Sequence, residues 1–158
     1  MKLGLAIREL HRSECKLALQ LRGTSARHKT DHEIHHVARD IAAWSDDHIY
    51  ELAMAGRRHG MELTSDARTT PRAPALQQRL SIMLGRRSEP ALLLLADLRR
   101  LHRTAAGVSL DWELLAQGAQ AARDVELVRV VQIAHPQTLR QMRWANNMLK
   151  VLAPQVLA

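Results

Sequence analysis

Phenylalanine is absent from this 158-residue chain, and aromatic residues account for only 3% of it. The core must therefore be filled by aliphatic side chains, chiefly leucine and alanine, which favour helices. Glycine and proline are also scarce, with seven and five residues, so few helix breakers are present. We predict an all-α protein. A chain of this length suits one domain spanning residues 1–158.

Cysteine occurs once, at Cys15, which excludes a disulfide within the chain and gives no reason to expect an oxidising compartment. Long apolar runs are missing as well, and the run 91–96 is far too short to cross a bilayer. Arg8 interrupts the N-terminal segment before a signal-peptide core can form. We therefore expect a cytoplasmic protein that does not enter a membrane.

The spacing of apolar residues predicts four long helices, of which the first two form a hairpin. The first runs from about Lys2 to Gly23 or a few residues beyond. The second begins at a capping box, in which Thr30 caps the helix and Glu33 reaches back to it. Its predicted end is Gly60.

The third and fourth helices form a second hairpin. The third is predicted to start near Ser88 and Pro90, a cap followed by proline, and Gly107 is a candidate break within it. The fourth is predicted to begin at Asp124. Pro136 is expected to bend it, because proline removes one backbone hydrogen bond.

Two ionisable side chains lie within otherwise apolar helix faces. Glu14 falls in the middle of the first-helix stripe, and His48 falls inside the second-helix stripe, with Glu51 at its edge. Facing helices of a bundle would bring the carboxylate and the imidazole together. Such a pair is a starting point for a metal site, because both groups are common ligands.

A long connection, residues 61–89, separates the two hairpins. With this single crossover and the inward-facing Glu14 and His48, the chain resembles the ferritin-like superfamily over nearly its whole length. The resemblance implies a ferritin-like four-helix bundle. It also implies where metal ligands would lie: metal-binding members carry a Glu on helices one and three and a Glu-x-x-His motif on helices two and four.

Only part of that ligand pattern is present. Glu14 matches the first-helix Glu, and His48 matches the second-helix His. Ser45 stands where the second-helix motif has its Glu. On the third helix the nearest inward-facing acid is Asp97, at the flank of the apolar stripe.

The fourth helix can be aligned with the motif in two registers. One places Gln132 and His135 at the Glu and His positions, and the other places His135 and Thr138 there. Neither register supplies the Glu. A pair of iron or manganese ions is normally neutralised by about four carboxylates, so a complete two-metal oxidase site is not expected.

Two interpretations of the bundle centre remain open. In the first, the metal site is lost, and Glu14 is paired with His48, an arginine or Tyr50. In the second, a single Fe, Mn or Zn ion with a redox or storage role is held by Glu14, His48, Asp97 and His135. No catalytic residues are predicted, because the sequence contains no nucleophile elbow and no phosphate-binding glycine loop.

Positive charge exceeds negative charge, with 23 Lys and Arg against 16 Asp and Glu and a net charge of +7. A third interpretation is therefore a basic module that binds nucleic acid or an acidic partner. Nucleic acid is disfavoured, because no aromatic side chains that could stack on bases accompany the basic residues. The arginines concerned lie on the crossover and its flanks: Arg57, Arg58, Arg68, Arg72, Arg79, Arg86 and Arg87.

Four histidines cluster around the start of the second helix. His32 and His36 have ligand spacing, but they and His35 fall outside the apolar stripe, and His28 precedes the helix in a turn. We expect this group to be solvated rather than to form a built metal site.

Apolar residues beside or behind the core stripes predict self-association. A homodimer through the outer faces of helices three and four would cover many of them. The residues concerned are Leu5, Leu19, Leu92, Leu93, Ile133, Leu139, Trp144 and Val151.

Overall fold

The computed structural model describes residues 2–67 and 89–158. Its four α-helices are α1 (Lys2–Arg27), α2 (His32–Arg58), α3 (Pro90–Ala121) and α4 (Val125–Leu157). Every long element of the described residues is helical, which confirms the predicted all-α class. None of the described helices is both long and apolar enough to span a membrane.

The helices pack as two hairpins. The most extensive contacts are between α1 and α2 and between α3 and α4, those between α1 and α3 come next, and those between α2 and α4 are the fewest of these four neighbouring pairs. The end of α1 meets the start of α3 at Arg27 and Asp97, and its start meets the end of α3 at Leu3 and Gly118. Helices α1 and α3 are therefore antiparallel.

This arrangement makes α2 and α3 parallel, since both run antiparallel to α1. The connection between Arg58 and Pro90 must then return along the length of the bundle, which is roughly 40 Å for a helix as long as α2. The prediction of two hairpins joined by a long crossover is confirmed at this level.

The cap of α2 differs from the predicted one. The helix begins at His32, and the residue directly before it, Asp31, accepts a hydrogen bond from the Ile34 N–H at 3.0 Å through its side chain. Thr30 lies one position too early to fill this role, so the predicted Thr30–Glu33 capping box is not formed as proposed. A short carboxylate at the N-cap satisfies one of the free N–H groups of the first turn.

The end of α2 agrees with the prediction at Gly60. This glycine has a φ of +73°, and the Met61 N–H donates back to the Gly56 carbonyl at 2.9 Å. The pattern is a Schellman motif, for which glycine is preferred because it has no Cβ to clash in the left-handed conformation.

The second hairpin begins at Pro90, the first residue of α3, whereas Ser88 lies outside the described residues. Helix α3 passes through Gly107 without the expected break, because one glycine costs only about 1 kcal/mol in a helix of 32 residues. Helix α4 starts after Asp124, as predicted, and continues past Pro136.

The predicted apolar stripes form the core. Glu14 is fully buried, and only 3% of the His48 surface is exposed. Their positions within the apolar faces of the first two helices predicted this burial. The largest fully buried apolar side chains are Ile7, Leu10, Leu17, Leu21, Ile34, Ile49, Leu52, Leu98, Leu101, Trp112, Leu115 and Leu127.

A second, small cluster lies between the start of the crossover and the first hairpin. Ala67 packs with Cys15, Ala18 and Ile49, and the Thr64 carbonyl contacts the His11 Nε2 at 2.6 Å. Cys15 is buried here, apart from the main core. Burial, with the charge of Glu14 and two aspartates, raises the pKa of its thiol to about 11.

The crossover arginines divide into two groups. Arg57 and Arg58 are exposed at the end of α2. The others lie outside the described residues: Arg68, Arg72, Arg79, Arg86 and Arg87.

Candidate functional site

The centre of the bundle is organised around one carboxylate oxygen. Glu14 Oε1, on α1, accepts hydrogen bonds from His48 Nδ1 on α2 at 2.8 Å and from Trp112 Nε1 on α3 at 2.8 Å. Thr138 Oγ1, on α4, donates to the same oxygen at 3.4 Å. A single oxygen thus contacts all three of the other helices, and the first interpretation, in which Glu14 pairs with His48, describes this geometry.

His48 continues the network towards the surface. Its Nε2 donates to the Gln137 Oε1 on α4 at 2.8 Å. Because the Glu14 carboxylate and the Gln137 carbonyl are both acceptors, a doubly protonated ring would donate to both of them. Burial lowers the pKa of His48, but the hydrogen bond and the charge of Glu14 offset this, and the net shift is upward. The surroundings of the ring thus favour its protonated form, and with it a buried carboxylate–imidazolium pair.

A second polar contact joins α2 and α4 one turn away. Gln141 Nε2 donates to the Ile41 carbonyl at 2.8 Å and to Ser45 Oγ at 3.0 Å. Ser45 is the residue at the position of the motif Glu, and it is fully buried. The space in which a ligating carboxylate would lie is thus filled by an amide–hydroxyl pair.

Asp97 belongs to a different part of the molecule. It is buried, and its Oδ2 accepts from Arg27 Nε and His28 Nε2, each at 2.9 Å. Asp97 precedes Trp112 by 15 positions along α3, which corresponds to roughly 22 Å of helix. The side chain therefore does not join Glu14. His28, expected to be solvated, is in fact only 9% exposed because it contacts this aspartate.

His135 lies between α3 and α4, outside the central network. Its Nε2 is 2.9 Å from Ser109 Oγ, and its Nδ1 is 3.5 Å from a Glu113 oxygen. Two registers were considered for the fourth helix. Only the one that includes Thr138 places a side chain in the central network. The structure brings together Glu14 and His48 and places Asp97 and His135 elsewhere.

The donor set at the centre does not fit a di-metal site. Of the four helices, only two supply a carboxylate or an imidazole to the centre, Glu14 and His48, whereas α4 offers neutral oxygens and the Trp112 N–H is a donor only. Across residues 2–67 and 89–158, no group of three or more His, Cys, Asp or Glu is arranged to hold a metal ion. The second oxygen, Glu14 Oε2, is buried without a hydrogen-bond partner among these residues.

A groove of about 480 Å³ opens between α2 and α4. Both His48 and Gln137 line it, so the contact between them lies beside a space that can admit solvent. Its walls carry charged side chains, and the acidic ones are in excess: Asp47, Glu51, Glu126 and Arg129.

Trp112, Gln137 and Gln141 were not identified as members of the site from the sequence. Trp112 lies on the apolar stripe of α3, and its ring fills the core, so nothing in its position along the sequence marks its N–H as a donor to the site. Gln141 lies three positions after Thr138, so a search for any polar residue on the inward face of α4 would have found it.

The fold and the centre define a class, an all-α four-helix bundle of two hairpins with a buried carboxylate–histidine contact. No protein-family model, curated protein or solved structure matches the chain.

Proposed function

We propose that this chain is a ferritin-like four-helix bundle protein in which a buried ion pair occupies the position of the metal centre. Its helix order, its single long crossover and the positions of Glu14 and His48 support the relationship. The observation that carries the proposal is the set of partners of Glu14 Oε1: three protein hydrogen-bond donors, one from each other helix.

Charge balance explains why these residues suit an ion pair better than a pair of metal ions. Two divalent ions need several carboxylates to neutralise them, whereas Glu14 alone is neutralised by one imidazolium. The pair then acts as a polar cross-link between four helices. In this proposal the protein is a scaffold without oxidase activity, and its biochemical role lies on its surface.

The alternative is a single metal ion held by four ligands, and only two of these, Glu14 and His48, lie together at the bundle centre. For Glu14 and His48 to bind Fe, Mn or Zn, His48 must lose the proton on the nitrogen that ligates, and Glu14 must give up the hydrogen bond from His48. Asp97 and His135 would have to be replaced by other ligands. No contact in the described residues favours this alternative over the ion pair.

Elemental analysis of the untagged protein, grown with added iron, manganese and zinc, tests the proposal. We expect no near-stoichiometric metal that depends on the centre. The comparison variant is Glu14→Ala, His48→Ala, and a His32→Ala, His36→Ala variant controls for metal captured by exposed histidines. Near-stoichiometric metal that is lost only in the first variant would contradict the proposal and support the single-ion alternative.

We also propose that the chain is a homodimer through the outer faces of α3 and α4. Leu92, Leu93, Ile133 and Val151 are exposed on these helices, which supports the proposal. Sedimentation velocity over a hundredfold concentration range tests it. A monomer at every concentration would overturn it.

A further inference from the structure

The side of the bundle where α1 lies against α3 carries an excess of positive charge. We call this surface the basic seam and define it by Lys16, Arg27, Arg100 and Arg103. Arg27 and Arg100 lie beside one carboxylate, Asp97, with nitrogen–oxygen distances of 2.9 and 3.8 Å. Two cations thus share one buried anion, and a positive charge remains uncompensated at this end.

The other two cations lie around a hollow in the same seam. Lys16 and Arg103 line it together with the hydroxyl-bearing Ser13 and Thr104, and its volume is about 310 Å³. Gly107 also lines the hollow, and the space where its Cβ would be is open. Neither Lys16 nor Arg103 has an acidic partner within 4.0 Å among the described residues.

One acidic residue, Asp111, also lines the hollow. The basic seam as a whole therefore carries four cations against two carboxylates, Asp97 and Asp111. Because α1 and α3 are antiparallel, these charges extend along the seam for roughly 17 Å from Lys16 to Arg27.

We propose that the basic seam binds the phosphate backbone of double-stranded nucleic acid. Spaced cations with hydroxyl donors match a row of phosphates, and such contacts carry affinity without base recognition. The seam residues include no aromatic side chain, so stacking on single-stranded bases is not available. This site differs from the crossover arginines considered from the sequence, and it does not depend on the chemistry of the bundle centre.

Fluorescence anisotropy with a labelled 20-base-pair duplex tests the proposal. If four cations contact phosphates, the affinity should fall roughly a hundredfold between 50 and 200 mM salt. A Lys16→Glu, Arg103→Glu variant should bind more weakly at 50 mM salt and lose only about tenfold over the same range, because two contacts are removed. Circular dichroism confirms that the variant is folded.

The matched control is Arg140→Glu, Arg143→Glu, which changes the net charge equally on exposed positions of α4. We expect it to bind nearly as well as the unchanged protein. An equal loss in both variants would overturn the proposal, because only net charge would matter. Tighter binding of a single strand of the same length would also overturn it, as would full competition by inorganic phosphate at matched ionic strength.

Discussion

The two opposite sides of the bundle, α1 against α3 and α2 against α4, are held together by different forces. Helices α1 and α3 pack closely, so that a Cβ on Gly118 would lie 3.0 Å from the Leu3 side chain. Helices α2 and α4 make the fewest contacts of the four neighbouring pairs. Polar contacts also join α1 to α3, at Asp97 and at Trp112, but there they add to close apolar packing. Between α2 and α4, by contrast, longer polar side chains bridge the gap.

Three polar bridges connect α2 with α4. His48 contacts Gln137, Gln141 contacts both Ser45 and the backbone of Ile41, and His59 Nε2 lies 3.1 Å from Asp124 Oδ2. Two of the three involve a histidine. The side formed by α2 and α4 should therefore be the more sensitive to pH and to polar substitutions.

The largest effect is expected from Glu14→Ala. The change leaves the His48 imidazolium and the Trp112 N–H without their common acceptor in a buried site, and breaking a buried ion pair costs about 3–5 kcal/mol. Urea denaturation measures the loss. Glu113→Ala, which removes an exposed carboxylate on α3, is the control and should change stability by less than about 0.5 kcal/mol.

Replacing both partners sharpens this prediction. A Glu14→Leu, His48→Leu protein should be less destabilised than Glu14→Ala, because no unpaired charge remains in the core. Equal losses in the two proteins would show that the pair does not act as a unit.

A smaller loss is expected from Gln141→Leu. The leucine fills similar volume but leaves the Ser45 hydroxyl and the Ile41 carbonyl without their donor, which costs about 1–3 kcal/mol. Gln132→Leu, at an exposed position of the same helix, is the matched control. If the two substitutions have the same effect in thermal denaturation, Gln141 is not a bridge between the helices.

Stability should also depend on pH through His48. The pKa of His48 is raised above its usual 6.5 in the folded protein, so its contribution is fully present below pH 6.5. That contribution is lost as the pH rises through the raised value, by at most about 1.4 kcal/mol per pH unit. Urea denaturation from pH 5.5 to 9 measures this slope, and a His48→Gln variant should lack it.

The smallest effect is expected from Asp124→Ala. This substitution removes the N-cap of α4 and the contact with His59, and losing a cap costs about 1 kcal/mol. The backbone hydrogen bond from Leu127 lowers the pKa of Asp124 below 3.8. Its contribution is therefore present above pH 3.8 and lost as the pH falls through the lowered value. Asp124→Asn should retain most of the stability, because the amide oxygen can still cap the helix.

Much of the fold could be predicted from the sequence, because helix faces repeat every 3.6 residues. The stripe containing Glu14 and that containing His48 were placed correctly, and so was the end of α2 at Gly60. The predicted cap at Thr30 was wrong by one residue, since Thr30 and Asp31 both have side chains suited to an N-cap.

The candidate site could be predicted only in part. The two residues that meet, Glu14 and His48, both interrupt an apolar stripe. Asp97 also lies on an inward flank, but its position on the helix face does not reveal that it lies level with Arg27 and His28, which contact it. Trp112 was missed as a donor because a tryptophan in a helix stripe is equally well explained by packing.

Four amphipathic helices, with one carboxylate and one imidazole facing inward, follow from the sequence alone, because periodicity and capping are local properties of the chain. The tertiary structure was needed to show that His48 lies between Glu14 and Gln137, and that positive charges from α1 and α3 share one surface. These outcomes depend on the axial displacement of each helix relative to its neighbours. That displacement results from the packing of all the side chains together and is not encoded in any single segment.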